Sequence, residues 1–246
     1  MQIKFKVALV TGANRGIGRA FVEELIKRGA AKVYAGARDV GRLEELVQRH
    51  KGKVEAIKLD ITKPEDIAAA AKKAPEVSLL VNNAGINLQA GFVASKDLAA
   101  ARAEMETNYF GPLAMCRAFA PILKANGGGA IVNMLSILAR VNLPMYGSLS
   151  ASKAAALSMT QGVRAELAGQ GTLVVGIMPG ACDTEMERNF PPPKLPPEEA
   201  ARAALDAVEK GLEDVYPGDM ATGISQGLIA DSKAIEKDFA KYLPSA

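Results

Sequence analysis

Tryptophan is absent from this chain, histidine occurs once, cysteine twice, and aromatic residues make up only 5% of it. With His50, Cys116 and Cys182 alone, a usual zinc site, a disulfide framework and a CxxC redox pair are all excluded. A serine–histidine–aspartate site would have to use His50, which instead reads as a solvated partner for a helix C-terminus. Charge of one sign is also missing: 30 Lys and Arg stand against 27 Asp and Glu, a net of +3, with no dense basic run. Nucleic acid is therefore not an expected partner. No apolar stretch reaches the roughly 18 residues that span a bilayer. The opening run Val7-Ala8-Leu9-Val10 is too short for the core of a signal peptide. The expectation is a cytoplasmic, water-soluble protein without a metal or membrane partner, whose chemistry comes from Ser, Tyr, Lys, Asn, carboxylates or a bound cofactor.

What is present is a half-apolar chain, 49% hydrophobic over 246 residues, long enough for one large domain spanning 1–246. Short runs rich in Val, Ile and Leu fall at 7–10, 32–37, 54–59, 77–81, 130–135, 173–178 and, weakly, 214–216. They are apolar on both faces, as strands buried between two helical layers must be. Helical patterns lie between them at 18–28, 42–50, 64–73, 98–124, 150–167 and 197–210. Strand–helix alternation with right-handed crossovers predicts an α/β protein: a Rossmann-type, doubly wound parallel sheet of seven strands in three α/β/α layers. The proline-rich stretch 190–197 fits neither strand nor helix interior and reads as a loop covering the substrate side.

The segment Thr11-Gly12-Ala13-Asn14-Arg15-Gly16-Ile17-Gly18 follows the first strand and opens the first helix. Gly12 permits a tight turn, Gly16 lets the backbone approach a pyrophosphate, and Gly18 lets helix and strand pack closely. This arrangement points to a dinucleotide held by residues 12 and 14–18. The second strand ends Ala37-Arg38-Asp39, with a cation at the tip where NAD sites carry an acid. Arg15 and Arg38 suit a 2′-phosphate, because a guanidinium matches phosphate geometry, so NADP(H) is the expected cofactor. Asp39 reads as a strand-end charge or a helix N-cap.

Beyond the turn, the fourth run ends Asn82-Asn83-Ala84-Gly85, and with residues 11–18 it resembles the classical short-chain dehydrogenase/reductase family over essentially the whole chain. The resemblance implies several roles. Asp60 and Ile61 follow the third strand at the adenine-contacting position, and Asn83, Ala84 and Gly85 complete the cofactor cleft. Asn108 matches the catalytic asparagine of the long fourth helix. Ser136, at the end of the fifth strand, matches the catalytic serine, and Lys153, in Ser152-Lys153-Ala154, the catalytic lysine. Pro179, Gly180 and Thr184 match the PGxxxT segment, whose Thr contacts the nicotinamide carboxamide. In this family hydride moves between nicotinamide and a carbonyl carbon. A tyrosine protonates the oxygen, the serine polarises it, the lysine holds the ribose, and the asparagine anchors a water relay.

That tyrosine lies thirteen residues after the serine and four before the lysine. Here the position is Leu149. A positioned general acid is typically worth roughly 10²–10⁴-fold in rate, so the sequence implies cofactor binding with weakened ketone reduction. Three explanations stay open. The chain is an impaired carbonyl reductase; or Tyr146 substitutes, since Tyr146, Leu149 and Lys153 share a face if the helix starts near Pro144; or the substrate is an imine, whose iminium form already carries its proton. The alternative reading of Tyr146 is an aromatic wall of the substrate pocket. A silent NADP(H)-binding protein is the reading from another class. The resemblance also implies a small ketone, alcohol or imine as substrate and a homo-oligomer, dimer or tetramer.

Overall fold

The computed structural model describes residues 1–244. Seven parallel strands form one sheet in the order β3-β2-β1-β4-β5-β6-β7. They are β1 (Val7–Thr11), β2 (Lys32–Ala37), β3 (Val54–Lys58), β4 (Leu79–Asn82), β5 (Ala130–Met134), β6 (Leu173–Ile177) and the short β7 (Asp214–Val215). The expected doubly wound α/β/α sheet is therefore the observed one.

Side chains alternate across each strand, and that period of two sorts the core into two layers. Ala8 and Val10 of β1, with Val132 of β5 and Val175 of β6, face α1 (Gly16–Lys27) and α7 (Pro197–Lys210). Leu9, Leu80, Ile131 and Val174 face the opposite layer, α3 (Pro64–Lys73), α5 (Gly111–Ala125) and α6 (Gly147–Leu167). His50 caps the end of α2 (Glu44–Arg49) as expected, but half-buried rather than free in solvent: its Nε2 lies 2.7 Å from a carboxylate oxygen of Glu23. Cys116 is buried in the core, and burial pushes its thiol up to about 12.

Two features depart from the sequence reading. The long helix expected at 98–124 is divided into α4 (Ala99–Met105), a π turn (Glu106–Phe110) and α5. A π turn inserts one residue into the helical ladder and re-aims a side chain, here that of Asn108. The chain also continues into α8 (Gly218–Ala230) and α9 (Ser232–Phe239). The glycines at 218, 223 and 227 weaken the helical pattern of α8, which folds because α9 packs along it and its Met220 lies against Gly180 and Ala181 of the loop after β6. Among the described residues no helix is long and apolar enough to cross a membrane.

A buried polar chain ties α6 to the middle of the sheet. Asn82 donates to Asn133 (2.9 Å), Asn133 donates to Thr160 of α6 (3.0 Å), and Thr160 donates to the Ala156 carbonyl (2.7 Å). Asn133→Leu removes the middle link and leaves the Asn82 amide with only the Cys116 sulfur, at 3.4 Å, as acceptor. A stability loss of about 1–3 kcal/mol is expected, read as a lower urea midpoint at unchanged slope.

Candidate active site

All seven strands point their carboxyl ends the same way, and the order reverses between β1 and β4. A cleft opens outside that reversal. It is a cavity of about 490 Å³. Every residue expected from the sequence to hold a dinucleotide lines it: Gly12, Asn14, Arg15, Gly16, Ile17, Gly18, Arg38, Asp60, Ile61, Asn83, Ala84, Gly85, Lys153, Pro179, Gly180 and Thr184. Ser136 and Leu149 line it too.

The glycine turn is held from β4. The Thr11 hydroxyl donates to the Val81 carbonyl and accepts from the backbone N–H groups of Asn83 (2.9 Å) and Ala84 (3.0 Å). The Asn83 amide in turn donates to the Thr11 carbonyl (2.9 Å). At position 18 a Cβ would stand 2.1 Å from the Gly12 carbonyl oxygen, so only glycine lets α1 start this close to the turn.

One end of the cavity is cationic. Arg15, Arg38 and Arg42 all line it. Arg15 pairs with Glu185 across the mouth, which holds the Glu185 carboxyl below its ordinary range. Arg42 lies 3.6 Å from Asp39, and Asp39 caps the turn that follows β2 by accepting from Gly41 N–H (3.0 Å). Arg42 was not singled out by the sequence reading, because a basic residue two turns past a strand looks like a solvated helix charge. Burial raises the Asp60 carboxyl. Two hydrogen bonds from Thr62 and the charges of Arg38 and Lys63 outweigh that and bring it below its ordinary value.

The opposite end holds Ser136, Leu149 and Lys153. The Ser136 hydroxyl oxygen sits at the end of β5 and accepts from the Leu138 N–H (3.1 Å). The Lys153 ammonium donates to the Met134 carbonyl (2.7 Å), and burial lowers its pKa from 10.5 to about 8. Cys182 lines the cavity as a buried thiol, pushed up to about 12 by burial and by the charge of Glu187.

Asn108 and Tyr146 are not brought to the cavity. Asn108 is 2% exposed. Its Oδ1 accepts from Ile86 N–H (2.9 Å), and its Nδ2 donates to the Ile86 carbonyl and to Ser152 (2.9 Å). Ser152 then donates to the Leu149 carbonyl (2.7 Å), so in this structure Asn108 positions α6 from behind the wall. Tyr146 precedes α6 in a 3-10 turn (Pro144–Tyr146), and its ring packs into an apolar cluster with Leu143 and Leu149. It packs behind Leu149 rather than lining the cavity itself, within reach of the Glu187 charge. Beyond Glu187 the proline-rich loop runs beside the Leu149 end: Phe190 packs onto the Tyr146–Leu149 cluster, and Leu195 bridges to the cavity-lining Cys182.

Two carboxylates were missed. Glu104 is fully buried in α4, accepting from Leu88 N–H (2.7 Å) and from the Ser148 hydroxyl, which fastens the loop after β4 to the start of α6. Glu187 lines the cavity.

The sequence model of the short chain dehydrogenases matches residues 6–194. The chain belongs to the short-chain dehydrogenase family. It is 33% identical over 221 residues to an uncharacterized oxidoreductase of Staphylococcus saprophyticus, covering 85% of this chain and 94% of that one. It is 32% identical over 192 residues to the 3-oxoacyl-acyl-carrier-protein reductase of Vibrio cholerae, covering 76% and 78%. Among solved structures, a short-chain dehydrogenase from Burkholderia cenocepacia, in complex with NADP, superposes with a TM-score of 0.92 at 52% identity, over 97% of this chain and 99% of that one. One from Sphingobium yanoikuyae, in complex with NADPH, gives 0.78 at 30% identity, over 92% and 95%. Among the described residues of this family member, no cluster of three or more His, Cys, Asp or Glu could hold a metal ion.

The lysine of this dehydrogenase site carries a pH signature. Its folded pKa is depressed, so between about 8 and 10.5 the unfolded chain binds the extra proton and stability rises with pH. Below that window the buried ammonium is a standing penalty. Lys153→Met should raise the melting temperature at neutral pH by about 2–4 °C. The gap should close as pH rises through the window, measured by calorimetry across pH.

Proposed function

We propose that the protein is an NADP(H)-dependent oxidoreductase that moves hydride between nicotinamide and the C=O carbon of a small ketone or alcohol, slowed because Leu149 stands where the family carries its proton-donating tyrosine. The observation that carries this reading is the shared cavity: Ser136, Leu149 and Lys153 line the same space as the glycine turn and the arginines. The dinucleotide's fit is supported by the bare backbone at the turn, where Gly12 and Gly16 adopt positive φ (65° and 50°), and by the NADP and NADPH complexes of the two structural relatives.

Each residue then has a physical task. The N–H groups at the start of α1 hold the pyrophosphate, aided by the helix dipole. Arg38 and Arg42, with Arg15 once it leaves Glu185, hold the 2′-phosphate. Asp60 and Ile61 flank the adenine, Thr184 holds the carboxamide, and Lys153 the ribose hydroxyls. When bound, the dinucleotide supplies the hydride. Ser136 donates a hydrogen bond to the oxygen on which charge develops, worth about 10²–10³-fold for such a donor. Leu149 offers neither a proton nor a hydrogen bond. The same leucine favours a second reading, imine reduction, because an iminium needs no proton as it accepts hydride. Assembly of copies through α4, α5 and α6 is part of the proposal, supported by Phe110, which is 48% exposed beside Tyr109.

Leu149→Tyr is expected to raise kcat for ketone reduction by about 10²–10⁴-fold, followed by NADPH absorbance. An unchanged ketone rate would sink the carbonyl reading. NADPH binding without oxidation by any ketone or imine, in either form, would identify a silent binder. Arg42→Ala should weaken NADPH about tenfold while leaving NADH affinity within about twofold, by fluorescence titration.

A further inference from the structure

We infer that Glu187 recognises a positively charged nitrogen on the substrate, so that the cavity takes amines and iminium ions in preference to neutral molecules of the same shape. The inference rests on the oxidoreductase reading above and names its substrate class.

Four acids line the cavity, and three are already engaged. Asp39 caps its turn and faces Arg42, Asp60 is bonded by Thr62, and Glu185 is paired with Arg15. Glu187 is different. Its carboxylate accepts one neutral donor, the Asn87 amide at 3.1 Å, and among the described residues no Lys, Arg or His comes within 4.0 Å of it. Lys194, near in sequence, spends its ammonium on the Glu187 carbonyl (3.2 Å) and on Asp183 (3.2 Å).

Its place in the cavity is set by both neighbours. Asn87 belongs to the loop leaving β4, so its bond to Glu187 bridges the two loops that flank the reacting end. Phe190, whose N–H donates to the Glu187 carbonyl (3.0 Å), packs into the Tyr146–Leu149 cluster. Glu187 therefore stands toward the Leu149 end. Burial raises its carboxyl, outweighing the Asn87 hydrogen bond and the more distant charge of Lys194, and its own charge raises both Tyr146 and Cys182. A half-buried carboxylate with no cation in direct contact is under-solvated, and a cation entering the cavity relieves that cost.

This also gives the apolar Leu149 a fitting role. The iminium carbon accepts hydride from the reduced nicotinamide, the C=N π pair becomes the nitrogen lone pair, the nicotinamide is oxidised, and no proton moves. A leucine then packs against the hydrocarbon part of the substrate while Glu187 faces the charge.

The test compares N-methyl dihydroisoquinolinium with tetralone, a neutral bicycle of similar shape, in the wild type and in Glu187→Gln, which keeps a side-chain oxygen for Asn87. Binding of the product amine, N-methyl tetrahydroisoquinoline, in the ammonium form it takes up from water at neutral pH, to the NADP⁺ complex is measured in parallel by calorimetry. The expected result is that Glu187→Gln weakens ammonium binding at least about tenfold and lowers the iminium-to-tetralone ratio of kcat/KM by a similar factor. No ammonium binding to the wild type, undiminished binding in the variant, or a tetralone rate that falls as much as the iminium rate would each overturn it. If neither compound is turned over, the oxidoreductase reading fails, and the ammonium titration alone decides Glu187.

Discussion

The backbone of the glycine turn lies against the start of its own helix and against the end of β4, and the cavity depends on that three-way contact. No Cβ is tolerated at Gly18, where it would meet the Gly12 carbonyl at 2.1 Å and the Asn83 amide at 2.6 Å. Thr11 and Asn83 lock the turn to β4 through side chain and main chain together. Because β1 and β4 are neighbours while β2 departs the other way, this junction sits at the reversal of the sheet, where helices on opposite faces diverge and leave a cleft. Any shift of the turn would move the start of α1, with its exposed N–H groups, relative to everything on β4 and β5.

The reacting end is built from α6, and α6 is positioned by buried polar contacts more than by an apolar stripe. Asn133 and Thr160 fix its middle to the sheet, Asn108 and Ser152 fix the turn bearing Leu149, and Glu104 fixes Ser148 at its start. Such groups are costly to bury unless every one is bonded, so each bond specifies a position as well as contributing stability. The two ends of the cavity also differ in charge. Arginines gather at the tip of β2, while the far end offers a depressed lysine, an apolar leucine and an under-solvated carboxylate.

Much of this was legible in the chain. β2 and the helices at 64–73 and 197–210 fall where apolar patterning put them, because a strand covered on both faces and a helix opened by proline leave strong local signals. The cofactor-side residues were legible for a related reason: a phosphate-binding turn is contiguous, and its glycines are demanded by local backbone geometry. Helix α8 was not, since its glycines argue against a helix that only packing rescues. Arg42, Glu104 and Glu187 were not either. A lone charged residue on a helix or loop has no local mark separating the exposed from the buried.

By itself, then, the sequence determined the parallel α/β architecture, the phosphate turn, the cation at the tip of β2, and the presence of leucine between Ser136 and Lys153. These follow from periodicity and from motifs whose spacing is local. Tertiary structure alone decided that Asn108 bonds Ile86 and Ser152 behind the wall, that Tyr146 packs behind Leu149, that Arg42 joins the arginines, and that Glu187 lines the cavity with no cation in direct contact. Each of those depends on which loops the sheet brings together across a hundred residues, as in the bond from Asn87 to Glu187, and on how much water that meeting excludes.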